Sequence, residues 1–185
     1  MYFRTDHHWT ADGALYAYMA WRSEKGLEEK SFADYTYEKL TDEFKGTIWS
    51  KAGAFWMEGE SLWYYFNPEV TIVCTDESGN TMEGYVDPSY LDTKDKYGAF
   101  LSSNHAVLNI ETSVKNGRSL LIVKDSYANI LIPLLCEEYE TIEVFDLRYN
   151  KTKVSEYAKE HGITDVLIVY QLDTFVQEPS VGFLR

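Results

Sequence analysis

Cysteine is scarce in this chain of 185 residues, which holds only Cys74 and Cys136. Neither belongs to a Cys-x-x-Cys or to a Cys/His set at ligand spacing, so a structural zinc site is not expected. A pair this far apart forms one disulfide or remains two buried thiols. Positive charge is also short, with 17 Lys and Arg against 30 Asp and Glu and a formal net charge of −13. Scattered acidity of this kind suits neither the phosphate backbone of nucleic acid nor an anionic membrane surface. No apolar run approaches the roughly 18–20 residues of a membrane-spanning helix. The longest candidates cover residues 120–123 and 130–136. Internal repeats and low-complexity stretches are lacking as well. No basic segment followed by an apolar one precedes the first motif, so no signal peptide is read. The chain opens directly on Asp6-His7-His8-Trp9, and the expectation is an N-terminally truncated chain.

What is present is the ordinary balance of a globular protein, 45% hydrophobic and 25% charged. That is enough apolar surface for a core, and the length fits one domain over residues 1–185. The distinctive bias is aromatic, with 15 Tyr, 9 Phe and 5 Trp. Some must lie outside the core. Exposed rings suit flat apolar partners such as sugars, and a Tyr-rich strand region accounts for the bias equally well.

Thr10 reads as a helix cap, with helical character over residues 14–25 and a stop at Gly26. Leu15, Tyr18, Met19 and Arg22 recur at helical spacing. A weaker helix is expected over 31–45, where Tyr35, Thr36 and Tyr37 also suit a strand. Residues 46–95 read as a β-rich insertion with runs at 47–50, 62–66, 70–75 and 81–86. Ser78-Gly79-Asn80 has the chemistry of a hairpin turn. From Ser119 onward the pattern alternates. Continuous apolar strands at 120–124, 142–146 and 165–170 enclose helices at 127–139 and 153–161, which predicts parallel strands with right-handed crossovers.

Lys124-Asp125-Ser126-Tyr127 places a serine between the carboxyl end of a buried strand and a helix start. Ligands of open α/β sheets bind at that edge, and a helix start offers N–H groups to an oxyanion. The plainer role for Asp125 or Ser126 is a helix cap. A serine nucleophile needs a base and an orienting group. In an extended segment Asp6 and His8 share a face and His7 points away. Asp6 can then hold one imidazole nitrogen of His8 and leave the other for the Ser126 proton. Asp-His-His is also the metal motif of a phosphoesterase class, a minor alternative here because no second Asp/His cluster stands out. His105 and His161 read as loop residues.

Two segments carry a family resemblance. One runs Phe3-Arg4-Thr5-Asp6-His7-His8-Trp9-Thr10-Ala11-Asp12-Gly13-Ala14. The other runs Leu121-Ile122-Val123-Lys124-Asp125-Ser126-Tyr127-Ala128-Asn129. Together they resemble the bacterial DHHW proteins, which are similar to the SGNH-hydrolase-like domains of alginate O-acetyltransferases. The resemblance implies a three-layer, flavodoxin-like α/β/α fold around a parallel sheet. It also implies a triad of Ser126 as nucleophile, His8 as base and Asp6 as orienter, with the Asp/His pair ahead of the serine.

The glycine of the usual Gly-Asp-Ser is Lys124 here. The Gly-Asn pair of the oxyanion site appears as Ser103-Asn104, so Asn104 is the candidate donor, and otherwise a polar turn residue. Arg148, Trp9 and Tyr127 are candidates to contact substrate; Arg148 alternatively pairs with Asp125 or Asp146. The implied activity is transfer or hydrolysis of O-acetyl groups on an extracellular or cell-envelope carbohydrate. No metal or organic cofactor is implied, and neither nucleic acid nor membrane insertion is expected. The competing reading is a non-catalytic carbohydrate-binding module that keeps the fold.

Overall fold

The computed structural model describes all residues from Met1 to Arg185. The chain divides into two compact units. The first comprises Met1–Pro68, Val86–Ser102 and Ile130–Leu135. The second comprises Glu69–Tyr85, Ser103–Asn129 and Cys136–Arg185. The segment expected as a β-rich insertion is therefore divided between them.

In the first unit, α1 (Ala11–Glu24) starts where expected. The Thr10 hydroxyl accepts from the Gly13 N–H at 3.3 Å. Leu15, Tyr18 and Arg22 form its buried stripe, the 3–4 spacing that places side chains on one helix face. Arg22 is buried with its charge engaged, donating to the Tyr18 hydroxyl at 3.1 Å and the Glu28 carbonyl at 3.0 Å.

The helix expected over 31–45 is instead a short 3-10 turn, Phe32–Asp34, followed by β1 (Thr36–Phe44). Thr and Tyr fit a pleated strand better than a helix, and β1 gains an antiparallel partner in β2 (Glu60–Phe66). The strand expected at 47–50 is the helix α2 (Thr47–Ala52). Gly46 caps its start, and Gly53 closes it with φ 63°, a left-handed conformation that costs glycine little. The unit is completed by α3 (Ile132–Leu135), which packs with α1 and β2. Its core is largely aromatic and aliphatic: Phe3, Leu15, Tyr18, Phe44, Leu62, Tyr64, Tyr97 and Phe100 are buried.

The second unit is built on one six-stranded sheet. Its strands are β3 (Ile72–Asp76), β4 (Thr81–Glu83), β5 (Val107–Thr112), β6 (Ser119–Lys124), β7 (Thr141–Phe145) and β8 (Asp165–Val169). Their order is β4-β3-β5-β7-β6-β8. β6 pairs in parallel with β7 and with β8, as the alternating pattern predicts. β3 and β4 form the expected hairpin around Gly79. The Asp76 carboxylate accepts the N–H of Ser78 and of Asn80, both at 2.8 Å.

The sheet is mixed rather than wholly parallel, which corrects the sequence expectation. The reason is β5, which joins the hairpin to β7 by antiparallel pairing on both sides. Leu108, Ile110 and Thr112 are buried, while Asn109 and Glu111 are exposed. That alternation marks a half-solvated strand. β6 lies between its two parallel partners, with every residue from Leu120 to Lys124 buried. Leu121 and Val123 pack with Phe145, Leu147 and Val154, the last from α4 (Val154–Glu160). Leu120, Ile122 and Lys124 occupy the other face. The helix α5 (Leu172–Gln177) and a 3-10 helix, Pro179–Leu184, follow β8.

The chain leaves β6 for β7 on one side and reaches β8 on the other. The carboxyl ends of β6 and β8 thus flank a reversal of winding, the place where open α/β sheets bind ligands. Both cysteines are buried free thiols, and burial pushes the Cys74 thiol up to about 12. No helix is long and apolar enough to cross a membrane.

Candidate active site

Two polar clusters contain the residues singled out by sequence, one in each unit. In the first unit, His8 Nδ1 and the Asp6 carboxylate form a short hydrogen bond with both side chains buried. The same carboxylate oxygen accepts the His8 backbone N–H at 2.9 Å. A carboxylate only accepts, so Nδ1 carries the proton and Nε2 is left as the basic nitrogen. The other Asp6 oxygen accepts the Thr47 N–H at 2.6 Å and the Thr47 hydroxyl at 3.2 Å. Burial raises the Asp6 carboxyl, but the bond to His8, its charge and the two backbone N–H donors outweigh that and hold it well below the usual range.

The supports come from distant parts of the chain. Glu60 grips the preceding residues, accepting from the Arg4 N–H at 3.0 Å and from the Thr5 N–H and hydroxyl at 2.8 and 2.6 Å. The His8 ring stacks on Tyr97 with centroids 3.8 Å apart. Gly46 passes so close to Asp6 that a Cβ there would sit 1.9 Å from the carboxylate oxygen. Backbone bonds from Phe3 N–H to the His8 carbonyl and from Thr10 N–H to the Met1 carbonyl close the segment into a tight bend.

His7 does not point away as extended geometry requires, because this segment is bent. Its ring lies 3.9 Å from that of His8, and its Nδ1 is 3.5 Å from the same Asp6 oxygen. The Thr47 hydroxyl spends its single proton on Asp6, so it accepts from His7 Nδ1 at 2.7 Å. Donor atoms of Asp6, His7 and His8 lie within 4.8 Å of one another and could hold a metal ion. The Asp6 oxygens are, however, already engaged by His8 and Thr47. Trp9 is partly buried and bridges to Tyr2.

In the second unit, Ser126 opens a 3-10 helix, Ser126–Leu131, directly after β6. The helix expected over 127–139 is thus a 3-10 turn leading into the short α3. Asp125 takes the capping role: its carboxylate accepts the Tyr127 N–H at 2.9 Å and the Gln171 N–H at 3.3 Å. This ties the carboxyl ends of β6 and β8 together. Ser126 and Tyr127 are partly exposed.

Lys124 is buried, and its amine donates to Asn104 Oδ1 at 3.1 Å and Asn129 Oδ1 at 2.7 Å. Arg148 forks onto the fully buried Asp146, with Nε and Nη2 at 2.9 and 2.5 Å from its two oxygens. That pairing pushes the guanidinium pKa further up. The pair is the ion-pair arrangement open to Arg148 from sequence. Burial pulls the Lys124 amine down to about 8, against the opposing charges of Asp146 and Asp125 and with help from Arg148.

Gly46, Thr47, Glu60, Tyr97 and Asn129 were not identified from sequence. Gly46-Thr47 carries a local signal, a glycine ahead of a threonine at a helix start, and Asn129 closes the 121–129 segment of the resemblance. The others act through contacts far apart in sequence.

The DHHW protein family matches residues 1–145. A DHHW family protein from Eubacterium siraeum has a solved structure that superposes with a TM-score of 0.80 at 28% identity, covering 98% of this chain and 62% of that one. Bacillus cereus PatB1, solved with a sulfonyl adduct, gives 0.74 at 25% identity, covering 94% of this chain and 61% of that one. A second PatB1 structure, at 24% identity and 0.71, supports the fold. This chain therefore spans under two thirds of the length of these relatives. No curated protein matches it. With a match over most of its length and Asp6-His7-His8-Trp9 at the centre of a built site, this chain belongs to the DHHW protein family.

Proposed function

We propose that the protein is a serine acyl-transfer enzyme acting on O-acetyl groups of a carbohydrate at the cell envelope or outside the cell, as an acetyltransferase or an acetylesterase. The observation that carries the reading is the buried Asp6–His8 hydrogen bond, which fixes the imidazole tautomer with Nε2 as proton acceptor. Family membership supports it. So does the adduct on PatB1, since a sulfonyl adduct forms when an activated nucleophile displaces a leaving group from sulfur.

In this reading the Ser126 oxygen attacks the acetyl carbonyl carbon and its proton passes to His8 Nε2. The tetrahedral oxyanion takes hydrogen bonds from the Ser126 N–H and the Asn104 amide. Collapse expels the donor alcohol, which receives the proton from His8, and leaves acetyl-Ser126. A sugar hydroxyl or water then repeats the sequence in reverse and frees the serine. Trp9 and Tyr127 contact the substrate. Arg148 still has a partly exposed guanidinium for an anionic group. The proposed enzyme has a three-layer, flavodoxin-like arrangement, which the parallel pairing of β6 with β7 and β8 supports.

A specific observation keeps the binding-module reading in play. Phe55 and Trp56 follow α2 with 75% and 82% of their surface exposed, a platform on which a sugar ring can stack. One experiment separates the two. Acetate release from p-nitrophenyl acetate, with mass spectrometry of the trapped acyl-enzyme, is compared for wild type, Ser126→Ala and His8→Ala. Loss of turnover on the order of 10³-fold or more in both variants, with no adduct in Ser126→Ala, is expected. Undiminished turnover in Ser126→Ala, or binding of oligosaccharide without any turnover in wild type, overturns the enzymatic reading.

A further inference from the structure

We propose that Lys124 is a positioning residue: its buried amine fixes the polarity of the Asn104 side-chain amide, so that N–H bonds rather than the oxygen are presented to a developing oxyanion. The inference rests on the acyl-transfer reading and goes beyond it.

Lys124 is the last residue of β6, between β7 and β8, and only 2% exposed. Its strand neighbours on that face are Leu120 and Ile122, also buried. An ammonium group there loses its hydration, which is tolerated only when protein groups replace the water. Two amide oxygens do so, Asn104 Oδ1 at 3.1 Å and Asn129 Oδ1 at 2.7 Å.

The chemistry of the pair sets the direction. An ammonium has donors and no acceptor, while an asparagine amide has one oxygen and one NH₂. Contact with Lys124 therefore claims the oxygen of Asn104 and turns its two N–H bonds the other way. Without that contact the amide can rotate by half a turn and present an oxygen, which repels an oxyanion. Burial works against the charged amine and Arg148 adds to that, while Asp146 and Asp125 favour the charge.

A second observation concerns the approach to Asn104. Leu101, Ser102 and Ser103 all have positive φ, at 58°, 55° and 78°. Non-glycine residues adopt this conformation at a cost, and such strain persists where surrounding structure imposes it. The Ser102 hydroxyl is tied to Asp87 Oδ2 at 2.9 Å. Ser103, held at φ 78°, immediately precedes Asn104, and Lys124 sets which end of that amide faces out.

The test is a double-mutant cycle on acetate release from p-nitrophenyl acetate, using Lys124→Met, Asn104→Ala and the pair, with circular dichroism as the folding control. Lys124→Met is expected to lower kcat roughly ten- to a hundredfold with KM little changed. Asn104→Ala is expected to lower it about a hundredfold. In the Asn104→Ala background Lys124→Met should cost nothing further. Lys124→Gln, which keeps an N–H donor, should recover part of the loss, and it replaces Lys124→Met in the cycle if that variant does not fold.

Multiplicative losses overturn the positioning role, because Lys124 then acts without Asn104. A wild type that acetylates Ser126 while the cycle is multiplicative separates that failure from one of the acyl-transfer reading. A wild type with neither turnover nor adduct overturns both.

Discussion

Asp6 serves two partners with its two oxygens. One holds the imidazole of His8, and the other receives the Thr47 N–H at the start of α2. Both depend on Gly46, where a Cβ would overlap the carboxylate. Gly46→Ala should therefore displace Asp6 and release the imidazole. The expected outcome is a fall in kcat on the order of 10²-fold or more together with about 1–3 kcal/mol of lost stability, checked by acetate-release kinetics and urea unfolding. Unchanged kinetics would show that the carboxylate does not orient His8.

Lys124 permits a different test. Burial pulls its amine down from the ordinary 10.5 to about 8 in the folded protein. Between those values the unfolded chain holds a proton that the folded chain has released, so stability rises with pH. Relative to Lys124→Met, wild type should gain on the order of 1–3 kcal/mol between pH 8 and 10.5. Urea midpoints across that range decide it, and a flat difference removes the case for a desolvated amine.

Among the elements, the turn Leu101–Ser103 carries the clearest conformational cost. Ser103 has φ 78°, which glycine adopts freely. Ser103→Gly should stabilise the fold by about 1 kcal/mol while lowering kcat, because the turn no longer holds Asn104 in one place. Thermal unfolding and turnover measured on the same variant check both halves.

The elements legible in the sequence were those with a strong local pattern: α1 with its Thr10 cap, the 78–80 hairpin, and β6 to β8 with their continuous apolar runs. Residues 31–45 read as a weak helix, although Tyr35, Thr36 and Tyr37 also suit a strand, because nothing local marks the β2 partner that decides the matter. Residues 47–50 read as a strand because Thr, Ile and Trp favour one. Thr47–Ala52 is a helix because glycine caps flank it and Asp6 satisfies its first N–H. β5 went unassigned because Asn109 and Glu111 face outward and break the apolar run. The same reasoning explains the site. Asp6 and His8 are two residues apart and visible as a pair, whereas Tyr97 and Glu60 reach them only through the fold.

At the scale of the whole molecule, the proposed nucleophile and its base belong to different compact units. The parallel half of the six-stranded sheet carries Ser126, and the aromatic unit around α1 and β2 carries Asp6 and His8. The match to relatives extends over nearly all of this chain and 61–63% of theirs. The double duty of Asp6 has a consequence for how such a molecule can change over generations. Under the proposed acyl-transfer function, a descendant that gives up catalysis and keeps only sugar recognition is released from needing its serine, but not from needing the aspartate, which still anchors a helix. Drift toward a silent binding protein should thus erase Ser126 first and leave the Asp-His-His-Trp signature standing, so that among related sequences the serine, rather than the motif that names the family, sorts working enzymes from retired ones.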